Sequence, residues 1–147
     1  MLQFPLYLFQ VCLYVELIQL IFLYRESKKR AQLLAEELES ENSNIGGMSI
    51  NVNVMSISEL LATDQKFSLA GIFISERLND SDLKEIIKFT EKRKRIAFSP
   101  FTGDVERGVA VGISVTNRVK PYFNLHALKR SEIVINALLM KMSRRYE

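Results

Sequence analysis

The residues of this chain best suited to chemistry lie in one short loop. Positions 101–108 read Phe-Thr-Gly-Asp-Val-Glu-Arg-Gly. Arg107 carries a planar guanidinium whose fork matches a carboxylate or a phosphate in two-pronged fashion. Asp104 and Glu106 stand beside it, able to orient that fork or to accept from a ligand donor. Two readings are open. Either Arg107 receives an external small anion, or it pairs with Glu106 inside the turn and locks the entry to the next strand. Asn124, further on at a strand-to-helix junction, has the residue type that caps a helix N-terminus. Catalytic readings fare worse. The one histidine, His126, has no Ser, Cys or carboxylate partner at a relay spacing. Cys12 sits in an apolar run that favours packing over reactivity. The sequence holds no phosphate-binding loop of the G-x-x-x-x-G-K-[ST] kind and no G-x-S-x-G elbow. No metal-ligand set and no cofactor fingerprint can be nominated, so the expectation is a non-enzyme with no catalytic residue.

The order of motifs around the loop carries a resemblance. Gly103-Asp104-Val105-Glu106-Arg107-Gly108 is followed by Val109-Ala110-Val111-Gly112-Ile113, then by Tyr122-Phe123-Asn124-Leu125 and a last helix. From about Leu17 to Met142, and most strongly over 103–128, the chain resembles the YfiR/HmsC-like family. That resemblance implies a periplasmic regulator that restrains an inner-membrane diguanylate cyclase, and so a place in cyclic-di-GMP signalling. It implies a membrane signalling protein as partner, with a small anionic ligand as a further candidate, and it leaves a homodimer open. It marks Asp104, Glu106, Arg107 and Asn124 as shape-defining positions. Some relatives carry disulfides; a chain with one cysteine forms none internally.

Composition sets the frame for these readings. At 147 residues, with 48% hydrophobic and 25% charged residues, the chain fits one globular domain, 1–147, with a substantial core. A net charge of +3 does not demand nucleic acid as partner. The basic run Glu91-Lys92-Arg93-Lys94-Arg95 has no interleaved aromatics, so it reads as cations gathered at a helix C-terminus.

The elements that must position the loop follow from periodicity. Residues 1–24 are strongly apolar but contain Glu16, three glutamines and Pro5, with no basic start and no small-residue cleavage site. They read as an amphipathic helix over 5–14 and a buried strand, Leu17–Tyr24, in preference to a membrane span or signal. An exported relative therefore implies an upstream start or a lost signal. Residues 26–41 read as a helix with Ala31, Leu34, Ala35 and Leu38 inward. Met48–Met55 alternates cleanly with period two and reads as a strand. Residues 56–62 form a helical turn capped by Ser56 or Ser58. Leu69–Ser75 is a strand, and Asn79 or Asp80 caps a helix whose inner face is Leu83, Ile86, Ile87 and Thr90. Ile96–Ser99 is a strand, and Val109–Val115 with Val119–Leu125 make a hairpin. Pro121 lacks an N–H, which puts its strand at an edge or a bulge. From His126 a short helix breaks near Ser131 into a longer one, with Ile135, Leu138, Leu139 and Met142 as its buried stripe.

Strands alternating with helices predict an α/β fold: a mostly parallel sheet flanked by helices in three layers, Rossmann- or flavodoxin-like, with a C-terminal antiparallel hairpin. The rival function is a cytoplasmic flavodoxin-like or receiver-like binding module. A receiver needs acidic residues at the end of the first strand, and here that strand ends Tyr24-Arg25-Glu26.

Overall fold

The computed structural model describes residues 17–41, 44–45, 48–63 and 69–147. The expected helix at 5–14 and Cys12 lie outside the described residues. Among the described residues eight strands form one sheet: β1 (Leu17–Tyr24), β2 (Asn44–Ile45), β3 (Met48–Ser56), β4 (Gly71–Ile74), β5 (Ile96–Phe98), β6 (Val111–Val115), β7 (Val119–Asn124) and β8 (Arg144–Tyr146). Their spatial order is β2-β3-β1-β4-β5-β6-β7-β8. β3, β1, β4, β5 and β6 run parallel, β7 returns antiparallel to β6, and β8 lies parallel to β7. The α/β fold with a mostly parallel sheet and a late hairpin is thus present as the sequence predicts.

The helices are α1 (Lys28–Glu41), α2 (Ile57–Leu61), α3 (Asp80–Arg93), α4 (Leu125–Arg130) and α5 (Ala137–Lys141). Local chemistry fixes their ends. Ser56, not Ser58, caps α2 in a capping box. Its Oγ accepts from the Glu59 N–H at 3.2 Å, and Glu59 Oε1 accepts from the Ser56 N–H at 3.2 Å. Asn79, not Asp80, caps α3 by accepting from the Asp82 N–H at 2.8 Å, the usual service of an N-cap side chain. Asp80 and Asp82 then occupy its first turn and Lys92 and Arg93 its last, each complementing the helix dipole. The basic run accordingly ends α3, as expected, and Lys94 closes it in the left-handed conformation at φ 54°.

Strand alternation gives the sheet two apolar faces. Ile21 and Leu23 of β1, Ile72 and Ile74 of β4 and Ala97 of β5 pack with Leu60 of α2 and Leu83 and Ile86 of α3. On the other face, Phe22, Val52 and Val54 meet Ala31, Leu34, Ala35 and Leu38 of α1. Further along that face, Phe123 and Val111 pack with Ala127 and Leu128 of α4 and with Met140 of α5. Pro121 fits its strand for the expected reason. The Asn124 N–H bonds the Ala110 carbonyl at 2.9 Å. Counting by twos from there leaves Pro121, opposite Ile113, at a pair without mutual bonds. Its nitrogen faces outward, and β8 pairs only with Tyr122 to Asn124.

The C-terminal third corrects the sequence reading. α4 does end at Ser131, but no long second helix follows. α5 has five residues, and Leu138, Leu139 and Met142 are exposed rather than buried. The chain leaves the helix because Ser143 Oγ bonds back to the Met140 carbonyl at 2.6 Å, while β7 offers an unpaired edge. Arg144 takes that edge as part of β8, its guanidinium 4.5 Å over the Tyr122 ring, within range of a cation–π attraction.

Candidate functional site

The crevice beyond the carboxyl ends of parallel strands is where an α/β sheet presents loops to a ligand. Here the rim is built by the segments after β1, β4 and β5, and the Phe101–Gly108 loop carries its most deeply buried charged residue, Asp104. That loop is a series of tight turns. The Arg107 N–H bonds the Asp104 carbonyl at 3.1 Å, and the Val109 N–H bonds the same oxygen at 3.1 Å. Gly108 closes it at φ 113°, a conformation that glycine adopts without strain. A Cβ there would also stand 3.2 Å from Ile87 of α3.

The polar side chains form a relay pointing inward. Asp104 is fully buried, and its Oδ2 accepts from Ser99 Oγ at 2.6 Å. Its other oxygen accepts from Arg107 Nη1 at 2.8 Å. Arg107 reaches on to Asp80 Oδ1 with Nη2 at 2.6 Å and Nε at 3.1 Å, and Nη2 also donates to the Leu78 carbonyl at 3.1 Å. Burial works to lower the Arg107 pKa, but the hydrogen bonds and charges of Asp80 and Asp104 outweigh it, and the net shift is upward. The fork that the sequence offers to an external anion is therefore filled from within the chain. Its two carboxylates differ sharply: the Asp104 side chain is 0% exposed and that of Asp80 is 84% exposed.

Glu106 does not pair with Arg107 in the turn. It faces the Tyr122 hydroxyl, whose pKa is pushed up first by burial and then by the hydrogen bond to Glu106. Asn124 caps α4 as expected, accepting from the Ala127 N–H at 3.0 Å. It also does something the sequence did not suggest: its Nδ2 donates to the Val105 carbonyl at 2.8 Å, tying the loop to the hairpin. The four nominated residues thus split into two groups. Asp104 and Arg107 form one relay, Asn124 binds the loop to β7, and Glu106 faces Tyr122 of that strand.

Several partners escape sequence reasoning, which makes Ser99 only a strand end and Asp80 only a candidate cap. Across the rim, Glu76 Oε1 accepts from the backbone N–H groups of Arg25 and Glu26, the latter at 2.6 Å, and Arg25 pairs with Asp82. Arg77 donates to the Thr102 carbonyl at 2.9 Å and lies over the Phe101 ring. The available signal is positional: all of these residues follow the ends of β1, β4 and β5, or begin α3. Among the described residues, no group of three or more His, Cys, Asp or Glu could hold a metal ion, and no helix is long and apolar enough to cross a membrane.

No family model and no curated protein matches the chain. Solved structures do. The chain is similar to the ABC domain in complex with L-Trp from Streptococcus pneumoniae, with a TM-score of 0.63 at 12% identity. It is also similar to a conserved domain protein from Vibrio cholerae O1 biovar El Tor strain N16961, with a TM-score of 0.60 at 14% identity. The matches cover 87% and 94% of this chain but only 56% and 59% of those chains, a little over half their length. At these identities the likeness is one of fold.

Proposed function

We propose that this chain is a non-catalytic regulatory binding domain that acts in the periplasm, in the manner of the YfiR/HmsC-like proteins it resembles, by restraining a membrane diguanylate cyclase. The observation that carries the binding half of this reading is the asymmetry of the Arg107 fork. Asp104 holds one prong from the interior, while Asp80 holds the other from the surface. A carboxylate or phosphate, free or on a partner's loop, takes the place of Asp80 without disturbing the buried contact. The cost is small, because an exposed ion pair contributes only about 0–1 kcal/mol. One structural neighbour is in complex with L-Trp, a carboxylate-bearing ligand, which favours a small carboxylate as the free form of that anion.

The two halves have separate tests. In the cell of origin, deleting the gene raises cyclic-di-GMP and restoring it lowers the level again; an unchanged level removes the regulatory assignment. In vitro, calorimetric titration with phosphate and with small carboxylates compares wild type with Asp80→Ala, which vacates the surface prong. Tighter anion binding by Asp80→Ala is the expected result, and no binding by either protein removes the anion site.

A further inference from the structure

Positive charge and apolar exposure gather in the same part of this molecule. Residues 109–147 hold seven Lys and Arg against two Glu, whereas residues 1–108 hold thirteen Lys and Arg against fifteen Asp and Glu. The net positive charge therefore comes entirely from the C-terminal segment. Of the ten large apolar side chains exposed among the described residues, eight lie between Ile113 and Tyr146. A charge asymmetry of this kind points to an anionic partner, and clustered exposed apolar groups mark an interaction site.

Strand register puts most of the apolar groups on one face. Val115 pairs with Val119 at the hairpin tip, and Ile113 pairs with Pro121. Alternation turns all four to the side on which α5 packs, where Ile113, Val119 and Leu139 of α5 line a common hollow. Leu138 and Met142, 67% and 60% exposed, stand one turn apart on α5 and its C-cap. Cations frame them. Arg118 sits in the turn at the hairpin tip, Lys141 ends α5, and Arg145 shares the face of Phe123, its register partner. All three are exposed, and among the described residues none has a side-chain hydrogen bond or ion pair. Of the two acidic residues in the segment, Glu132 is already engaged by Lys94.

We propose that the hairpin tip and α5 form a docking surface for an anionic phospholipid bilayer. The apolar side chains enter the headgroup boundary, while Arg118, Lys141 and Arg145 meet lipid phosphates. Charge complementarity selects this occupant. A second copy would set the same cations against themselves, a like-charge contact that disfavours association. Folded protein partners are typically engaged through aromatic anchors in a shaped interface core. The six exposed apolar residues of this face are Ile, Val, Leu and Met only. A bilayer needs no shape complementarity: apolar groups sink about 5–10 Å to the acyl boundary, and each nearby Lys or Arg strengthens binding about fivefold. Charge and exposure carry this surface independently of the regulatory role proposed above.

The experiment is co-sedimentation of the full chain with two kinds of vesicle, phosphatidylcholine alone and equal parts phosphatidylcholine and phosphatidylglycerol. One variant combines Arg118→Ala, Lys141→Ala and Arg145→Ala. A second combines Val115→Asn and Leu138→Asn, each also made singly in case the pair does not fold. A control carries Leu33→Asn, at another exposed apolar position, on α1. Thermal melts check that every protein is folded. Wild type and the control are expected to bind the mixed vesicles equally, about tenfold or more tighter than phosphatidylcholine alone, and raised salt weakens that binding. The cation variant should bind about a hundredfold weaker and the apolar variant about tenfold weaker. No binding to the mixed vesicles, equal binding to both kinds, a cation or apolar variant that binds like wild type, or a control that loses as much overturns the proposal. Self-association of wild type that these variants abolish, without vesicle binding, overturns it in favour of a second copy.

Discussion

Arg107 joins three segments that are distant in sequence: the 101–108 loop, the start of α3 and the stretch after β4. Removing its side chain leaves the Asp104 charge buried with only Ser99 for company. Arg107→Ala is expected to cost about 2–3 kcal/mol, below the usual figure for breaking a fully buried pair because Arg107 is itself partly exposed. Arg107→Lys keeps the charge but cannot serve both carboxylates, so a smaller loss is expected, with anion binding weakened by about 1.5–3 kcal/mol. Thermal melts and titrations of the two variants separate the effects; equal binding by wild type and Arg107→Lys would show that the fork meets no ligand. Asn124→Ala removes a cap and orphans the Val105 carbonyl. About 2–3 kcal/mol of lost stability by urea unfolding is expected from the two losses together. Tyr122 adds a pH dependence. Its pKa is raised in the folded chain. Above about pH 10, the folded chain therefore holds a proton the unfolded chain has lost. Stability from this group is complete below that pH and declines as pH rises through the raised value. Tyr122→Phe should flatten the alkaline fall in melting temperature, and a slope identical to wild type would refute this.

At the scale of elements, Gly112 reveals how tightly the loop is seated on the sheet. A Cβ at this position would stand 2.5 Å from Val105 Cγ2 and 3.1 Å from the Ser99 carbonyl. Gly112→Ala is expected to cost about 1–3 kcal/mol as overpacking. Val105→Ala in the same chain should recover part of it, since that removes the nearer contact; a double mutant no more stable than additivity allows would mean the backbone, not Val105, sets the limit. The elements also divide by how readable they were. β1 was legible to the residue because an apolar run between polar flanks suits a strand buried on both faces. α3 was legible because its cap, acidic first turn and basic last turn agree. The end of the chain was not. Ile135, Leu138, Leu139 and Met142 have helical spacing, but spacing cannot report whether a facing surface exists, and here three of them meet water. β8 was invisible for the opposite reason: Arg-Arg-Tyr has no apolar alternation, and what makes it a strand is the free edge of β7. The relay was half legible. Arg107 and Asp104 share a loop, whereas Ser99 and Asp80 reach them only once β5 and α3 are packed.

For the whole molecule, cover and pairing together set a gradient of local stability. β1 is hydrogen-bonded to β3 along its full length and to β4 on its other side, with Ile21 and Leu23 completely buried. β4 is sealed beneath by α3 through Ile72, Ile74, Leu83 and Ile86. The far end of the sheet is thinner. Val115 and Val119, facing each other at the hairpin tip, are 66% and 70% exposed, and every residue of β8 is exposed. Backbone groups open to exchange by local unfolding where few buried contacts hold them, and only by global unfolding where many do. Hydrogen exchange followed by mass spectrometry should therefore show protection falling from β1 and β4, through β5 and β6, to the hairpin tip and β8. The Arg107 relay adds a second expectation. Because it fastens the 101–108 loop to α3, Arg107→Ala should speed exchange in that loop and at the start of α3 while leaving β1 unchanged relative to global stability. If β8 proves as protected as β1, the edge is held by more than its three-residue pairing and its ring contact, and the gradient argued from cover alone is wrong.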